Sequence, residues 1–483
     1  MAGKWPYKRV EEIALKIAMG PFGSSIKVET FTDSGIPIIS GQHLREAQVT
    51  DGEFKFITEA HADSLKNANV QRGDVIFTHA GNIGQVAFIP DDSAYQRYVI
   101  SQRQFYLRCN TDLMLPEFIT YYFKTPEGQH RLLANANQVG VPSIARPSSY
   151  LKTIEVPVPS IEEQQVAVWN IKALDAKIRL NIGINQTLEA MAQAIFKSWF
   201  VDFDPVKAKL AAIVEGRDPL RAAMSAISGK SESEIDTLPP EQFEQLATTA
   251  ALFPDEMEQS KLGEIPRGWS ASPFGSLLSH TIGGDWGSDS PDSSNDTRVA
   301  IIRGTDIPDL DLAQAHRVPF RYTTQKKLAS RHLQVGDIVL EVSGGSKDQP
   351  TGRSIRIAVN TMREFDCPIE PASFCRLLRP ISPEIGVILG LHLVYIYAQG
   401  KTWEYQNQST GIANFQTAHF LDAEFVAKPP TMVAEKFYGL VNPLLERRHD
   451  PQSRRLTALR DSLLPKLLSG ELSVTEAIAE AEA

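Results

Sequence analysis

One pattern occurs twice in this chain, and that constrains its fold more than any other feature. Ile36-Pro-Ile-Ile-Ser-Gly41 followed by Val70-Gln-Arg-Gly-Asp-Val-Ile-Phe77 is answered by Val299-Ala-Ile-Ile-Arg-Gly304 and Leu333-Gln-Val-Gly-Asp-Ile-Val-Leu340. Gly41, Leu44, Gly73 and Asp74 thus recur as Gly304, Ile307, Gly336 and Asp337, about 263 residues later. After each copy come a mixed segment, a turn containing glycine (Gln138-Val-Gly-Val-Pro-Ser-Ile144; Ser409-Thr-Gly-Ile-Ala-Asn-Phe415), a short strand-like run ending in prolines, and a long helical pattern. Self-similarity at a fixed offset is the mark of a duplicated unit. The expected fold is α+β: two duplicated mixed α/β domains separated by two long helices that form an antiparallel coiled coil, with pseudo-twofold symmetry.

The 483 residues, 42% of them apolar, supply enough material for two cores of ordinary size. Cys109, Cys367 and Cys375 show neither metal spacing nor a disulfide framework, which points to a reducing cytoplasm. The chain opens with no secretory leader, and its longest apolar stretch, 386–398, is too short to span a bilayer and contains His392, so no membrane role is expected. A net charge of −9 argues at first sight against a partner made of phosphates. However, 201–262 alone holds twelve acidic and six basic residues, while basic side chains gather at 97–108, 317–331 and 353–363. Net charge therefore decides nothing here.

Residues 1–157 read as a first domain, with strands at 36–40, 74–79, 85–89, 104–108 and 153–158 and helical spacing at 116–123 and 128–136. Ser160 and Glu163 form a capping box that starts a long helix within 158–200. Along it Ile171, Leu174, Ile178, Asn181, Asn185, Leu188, Ala192, Ile195 and Trp199 fall at alternating steps of three and four, the seam of a coiled coil. Some 39 residues at 1.5 Å each reach about 58 Å, more than one globular core requires. A second helix, in 429–472, begins near Thr431, is interrupted at Asp450-Pro451, and resumes through Leu456, Leu459, Leu463 and Leu467 until Ser469-Gly470. Either the two helices pack on each other, the more economical arrangement, or each lies on its own domain. Between them 201–262 reads as an acidic connector with helical stretches at 205–215 and 240–251; 263–428 is the second domain, with a helix at 383–398, and 473–483 is a tail.

Catalytic signatures are not found. Asn442-Pro-Leu-Leu445 and Asp450-Pro-Gln-Ser453 lack the second proline and the aromatic residue of an adenine methyltransferase loop. Gly20-Pro-Phe-Gly23 reads as a turn, and Ser343-Gly-Gly-Ser-Lys347 lacks the ending of a phosphate-binding loop. Asp202 and Asp204 suit a helix-ending turn better than a nuclease metal site, and the histidines are not paired at metal spacing. A non-catalytic chain without a metal is expected.

Several further motifs carry a resemblance: Pro157-Val-Pro-Ser-Ile-Glu-Glu-Gln-Gln165, Ile195-Phe-Lys-Ser-Trp-Phe-Val-Asp-Phe-Asp-Pro205, Gly263-Glu-Ile-Pro-Arg-Gly-Trp269 and Leu463-Leu-Pro-Lys-Leu-Leu-Ser-Gly-Glu-Leu472. With the two Gly-Asp repeats, and in this order, they make nearly the whole chain resemble the specificity subunit of a type I restriction-modification system. The resemblance implies two target-recognition domains, each reading one half of a bipartite sequence in double-stranded DNA, with helices that set the spacing. It also implies two docked modification (methyltransferase) subunits, and restriction (translocase/nuclease) subunits in the full complex. Catalysis then belongs to those partners, where S-adenosylmethionine, Mg2+ and ATP are expected; none is expected on this chain. The second copy departs from the pattern, having Pro430-Thr-Met-Val-Ala-Glu435 where the first has its capping run. A coiled-coil adaptor with two protein-binding domains is the alternative.

Base edges are read by Arg, Lys, Asn or Gln carried on loops. The candidates in the first domain are Gln42, His43, His79, Asn82, Gln102, Arg103, Gln104 and Arg146. In the second they are Arg303, Thr305, Ser343, Lys347, Arg353, Gln406 and Gln408. An ordinary solvated loop side chain is the competing explanation at each position.

Overall fold

The computed structural model describes residues 5–50, 52–137, 140–312, 315, 317–346, 349–409, 412–448 and 452–469. It divides into two compact units, Met1–Arg179 with Arg455–Ala483, and Leu180–Arg454.

In the first unit the Gly-Asp motif opens the strand Asp74–Thr78, which lies inside a four-stranded antiparallel sheet in the order Ala14–Met19, Gln104–Cys109, Asp74–Thr78, Val86–Phe88. Every residue of Asp74–Thr78 is buried because both faces are covered. Side chains alternate across the sheet: Val75 and Phe77 enter one core with the helix Pro116–Lys124, while Ile76 enters another with Ile39, Val99 and Tyr106. That other core belongs to a second sheet in the order Lys55–Ile57, Ile36–Ile39, Arg97–Ile100, Asn69–Gln71, whose middle pair runs parallel. The strands Tyr7–Arg9 and Glu155–Pro157 pair with each other and close the domain.

The second unit repeats this frame. Leu278–Gly283, Cys375–Pro380, Ile338–Glu341 and Ser354–Arg356 form the same four-stranded order. Thr297–Ile302 again runs parallel to a neighbour, Ile369–Pro371, with Phe320–Thr323 on its other side. Ser270–Pro273 pairs with Phe425–Lys428 as the closing ladder. The expected duplication is therefore present in the four-stranded sheet, the parallel pair and the closing ladder, although Asn69–Gln71 has no counterpart strand among the described residues of the second unit.

The first long helix, Ile161–Phe200, has 40 residues. Its start is the predicted capping box: the Ser160 N–H donates to Glu163 Oε2 at 2.8 Å, and the Glu163 N–H to Ser160 Oγ at 3.3 Å. In the first unit Ala167, Val168 and Ile171 share a core with Leu463, Leu464, Leu467 and Leu468, with Leu174 and Leu459 packed beside it. In the second unit Ala192, Phe196, Trp199 and Phe200 share a core with Val433, Phe437, Val441 and Leu445. Also in that unit Arg448 pairs with Glu189 at 3.0 Å, and Asn181 Nδ2 donates to Gln452 Oε1 at 3.1 Å. Numbers rise along one chain segment as they fall along the other, so the segments run antiparallel there. Of the remaining seam positions Ile178 is buried, and Asn185, Leu188, Ile195 and Leu456 are half-buried. The C-terminal helices are Thr431–Arg448 and Gln452–Ser469; the predicted break at Asp450-Pro451 and the stop at Gly470 lie outside the described residues.

The segment 201–262, read from the sequence as an acidic connector, contains the two helices expected at 205–215 and 240–251, with two more between them. The helices Pro219–Ser228, Glu232–Ile235 and Pro240–Ala251 share a core of Ala223, Met224, Ile235 and Ala250, while Val206 of the helix Asp204–Glu215 joins the larger core of the second unit. Asp218 caps Pro219–Ser228, accepting from the N–H groups of Leu220 and Arg221, and Gly216 and Gly229 end helices in the left-handed conformation. Short helices buried by one face look polar in composition, which hid this core. Two boundaries also move: the expected strand 153–158 is the helix Pro147–Thr153 followed by Glu155–Pro157, and the expected helix 128–136 is Pro126–Leu133. Phe203, left-handed at φ 56°, makes the expected helix-ending turn between Asp202 and Asp204.

Candidate nucleic-acid interface

The two ends of the repeated Gly-Asp strand do different work. At its start Gly73 and Gly336 adopt φ 82° and 91°, a conformation that favours glycine. Asp74 then accepts two hydrogen bonds of 2.7 Å from Arg108 and one of 2.8 Å from the Gln71 N–H. Asp337 accepts from Arg379 at 2.8 and 2.7 Å and from the Gln334 N–H at 2.7 Å. This end is structural.

At the far end stand Thr78 and Glu341, at equivalent positions with different chemistry. Thr78 Oγ donates to Gln85 Oε1 at 3.2 Å and accepts from Gln104 Nε2 at 3.4 Å, and Ser101 Oγ donates to Gln104. Glu341 instead accepts two hydrogen bonds from Arg353, at 2.9 and 2.5 Å. Each cluster lies against the repeated glycine of the preceding loop. A Cβ on Gly41 would be 2.9 Å from Gln85 Oε1, and one on Gly304 only 2.4 Å from Glu341 Oε1. Close approach, not turn geometry, therefore explains Gly304, where three atoms of the clamped Glu341 crowd the site; at Gly41 the near atom is the end of a glutamine side chain.

Each glycine opens a 3-10 turn, Gly41–His43 and Gly304–Asp306. The third residue holds the turn: His43 Nδ1 accepts from the Ser40 N–H at 3.0 Å, and Asp306 Oδ2 from the Arg303 N–H at 2.9 Å. His43 is buried and stacks on Phe54 at 4.4 Å. Burial lowers its pKa, keeping the ring neutral so that Nδ1 can accept.

Around this end of the first unit the predicted residues converge. Gln42, His43, Gln102 and Arg103 border one hollow of about 350 Å3. His79 is half-buried with Nε2 3.1 Å from the Gln102 carbonyl, and burial lowers its pKa. The His79 carbonyl accepts from the Ile144 N–H at 2.8 Å and the Pro142 carbonyl from the Gly81 N–H at 2.9 Å, which brings up the hairpin leading to Arg146. Arg146 itself is exposed and left-handed at φ 46°, an unusual conformation for a non-glycine residue. Gln42, Asn82, Gln102 and Arg103 are exposed, whereas Gln104 is buried in the Thr78 cluster.

In the second unit Thr305 is exposed, but Arg303 is bound to Asp306 at 2.9 and 2.7 Å and Arg353 to Glu341. Ser343 Oγ donates to Asn414 Oδ1 at 2.9 Å, and Gln406 Oε1 accepts from the Thr351 N–H at 3.1 Å. Gln408 lies in the strand Gln406–Ser409; its side chain and Lys347 fall outside the described residues. Asn407, within the stretch 406–409 that the sequence offered as a DNA-reading loop, is exposed, and its cross-strand partner Asn414, which sequence reasoning missed, is exposed beside it. Sequence reasoning also missed Phe374, 63% exposed at the position Arg103 holds in the first unit. The equivalence shows in the strand register alone: Glu341 pairs with Cys375 as Thr78 pairs with Gln104, which aligns the residues just before them.

Residues 3–190 match the family described as the type I restriction modification DNA specificity domain. Over that stretch the chain is similar to this family. Likeness to specificity subunits extends beyond the matched domain. The type I restriction enzyme HindI specificity subunit of Haemophilus influenzae is 29% identical over 431 residues, covering 83% of this chain and 87% of that protein. The MjaIX specificity subunit of Methanocaldococcus jannaschii is 24% identical over 494 residues, covering 98% and 94%. A crystal structure of a type I restriction-modification S subunit from M. genitalium shares the fold at a TM-score of 0.50, with 14% identity and 96% of each chain covered. Among the described residues no three His, Cys, Asp or Glu side chains are placed to hold a metal ion, and no helix is long and apolar enough to cross a membrane.

Proposed function

We propose that this chain is the sequence-reading subunit of a type I restriction-modification complex, each unit contacting one half of a bipartite target in double-stranded DNA. One observation carries this: the same frame is built twice, with different side chains at the same end. Thr78, Gln85 and Arg103 in one unit stand where Glu341, Arg353 and Phe374 stand in the other. One scaffold with two chemistries suits two unlike half-sites.

The exposed Gln42, Asn82, Gln102, Arg103 and Arg146, and Thr305, Phe374, Asn407 and Asn414, are the side chains that reach DNA in this proposal. His43, Gln104, Arg303 and Arg353 are held by internal partners; they shape the loops instead of touching bases. Docking of modification subunits on the long helices is part of the same proposal. The chain then serves in the cytoplasm without catalysing either reaction, and S-adenosylmethionine, Mg2+ and ATP sit on its partners, restriction subunits among them. Selection from a random duplex library by the chain, with and without its modification partner, tests the proposal: a two-part consensus is expected, and none under either condition overturns it.

A further inference from the structure

The Glu341–Arg353 pair is almost fully enclosed, with the two side chains 2% and 17% exposed. A buried ion pair is poor material for stability, since the cost of desolvating two charges offsets much of their attraction and well-packed apolar side chains often serve as well. What this pair touches suggests another role. Glu341 Oε1 lies 2.4 Å from where a Cβ on Gly304 would stand and 2.5 Å from one on Gly344. Both loops therefore rest on one carboxylate: the turn Gly304–Asp306, which presents Thr305, and the strand Ser343–Gly344. The segment leading to Arg353 reaches the third loop. Thr351 Oγ donates to the Gly344 carbonyl at 3.3 Å, and the Thr351 N–H donates to Gln406 Oε1 at 3.1 Å. In the first unit the equivalent positions hold Thr78 and Gln85, joined by a neutral hydrogen bond under Gly41.

We propose that Glu341 and Arg353 are positioning residues that fix the three loops with which the second unit reads its half-site, and that Thr78, Gln85 and Gln104 do the same in the first. This inference rests on the DNA-reading function proposed above. The ion pair in one copy and the amide network in the other place different side chains beneath the same loops. Different loop settings on one frame give different base preferences before any exposed side chain is changed.

The test uses the full chain with its modification partner and selection from a random duplex library, scoring base preference separately in each half of the target. E341Q and R353Q are expected to lower discrimination in one half by about tenfold or more, while the other half changes by no more than about twofold, as distant sites are nearly independent. The double variant E341T/R353Q, which imports the side chains of the first unit, is expected to fold cooperatively and to select an altered sequence in that same half. T78E/Q85R is the reciprocal variant, acting on the opposite half. A folded E341T/R353Q that selects the wild-type sequence with wild-type discrimination overturns the inference, as does an equal loss in both halves. A wild-type chain that selects no two-part sequence overturns the DNA-reading function itself, and is recognised before any variant is compared.

Discussion

Asp74 and Arg108 face each other on neighbouring strands and are joined by two hydrogen bonds of 2.7 Å, an arrangement that Asp337 and Arg379 reproduce in the second unit. In each case the aspartate is buried and also holds the turn behind it through a backbone N–H. Removing one partner of such a pair leaves the other uncompensated. D74A and D337A should each cost about 3–5 kcal/mol, measured by urea denaturation. Gly73→Ala, which only strains a left-handed turn, should cost about 1–2 kcal/mol.

Glu424 gives a prediction in acid. It is buried and accepts from His392 Nε2 at 2.8 Å, Tyr405 OH at 2.6 Å and Lys401 Nζ at 2.7 Å. Burial pushes its pKa up, but the hydrogen bonds and the charge of His392, with the donors Lys401 and Tyr405, outweigh it and bring the carboxyl to about 2. A lowered carboxyl stabilises the fold above its unfolded value of about 4.3, and that stabilisation fades as pH falls from there toward 2. The melting temperature of wild type should exceed that of E424Q at pH 6, with the gap closing below pH 4. A gap that stays constant contradicts this.

Glu370 behaves in the opposite sense. It is buried, and neither carboxylate oxygen has a hydrogen-bond partner among the described residues. Burial, with Asp285 adding to it, raises its pKa to about 7 against the pull of Arg331 and Lys327. A raised carboxyl favours the fold below its unfolded value and disfavours it progressively as pH rises through 7. E370Q should therefore be more stable than wild type at pH 8 and nearly equal to it at about pH 4, below the unfolded carboxyl value, as thermal melts at the two values would show.

Exposed and buried candidates in the first unit should separate by experiment. Q102A and R103A should relax base preference in one half of the target by about 1–3 kcal/mol per lost bidentate contact, with an unchanged melting temperature. H43A should lower the melting temperature, because it removes the acceptor for the Ser40 N–H and the stack on Phe54.

The helical seam predicts a change of spacing. One heptad inserted within 171–199 adds about 10.5 Å of helix, or about three base pairs at 3.4 Å each. Recognition should be lost, or the gap between the two target halves should change, while each domain stays folded. An unchanged gap in the selected sequences would be the contrary result.

The frame was legible where local rules act alone. Gly-Asp before an apolar run, Ser160 with Glu163, and the prolines before each long helix each carry their own physical signal, and the structure places strands and helices there. Legibility failed where a side chain's role depends on a partner far along the chain. Arg353 looked like a DNA ligand because nothing local reveals Glu341 across the strand pair, and His43 looked exposed because Phe54 is eleven residues on. Phe374 was passed over because an aromatic residue between strands is ordinarily core, and only the alignment of Cys375 with Gln104 sets it beside Arg103 as an exposed position. Two of the helices in 204–251 were legible, at 205–215 and 240–251, but the small core between helices was not, because it shows only once Ala223, Met224, Ile235 and Ala250 meet.

The closing ladders carry a consequence for how such proteins diversify. Tyr7–Arg9 lies beside Glu155–Pro157, and Ser270–Pro273 beside Phe425–Lys428, so the polypeptide joins and leaves each domain on adjacent strands. A foreign domain spliced in at these two points has only a short backbone ladder to match, and backbone hydrogen bonding is indifferent to side-chain identity. Genetic exchange at both junctions would replace one half of the specificity, leaving the helices and the opposite half as they were.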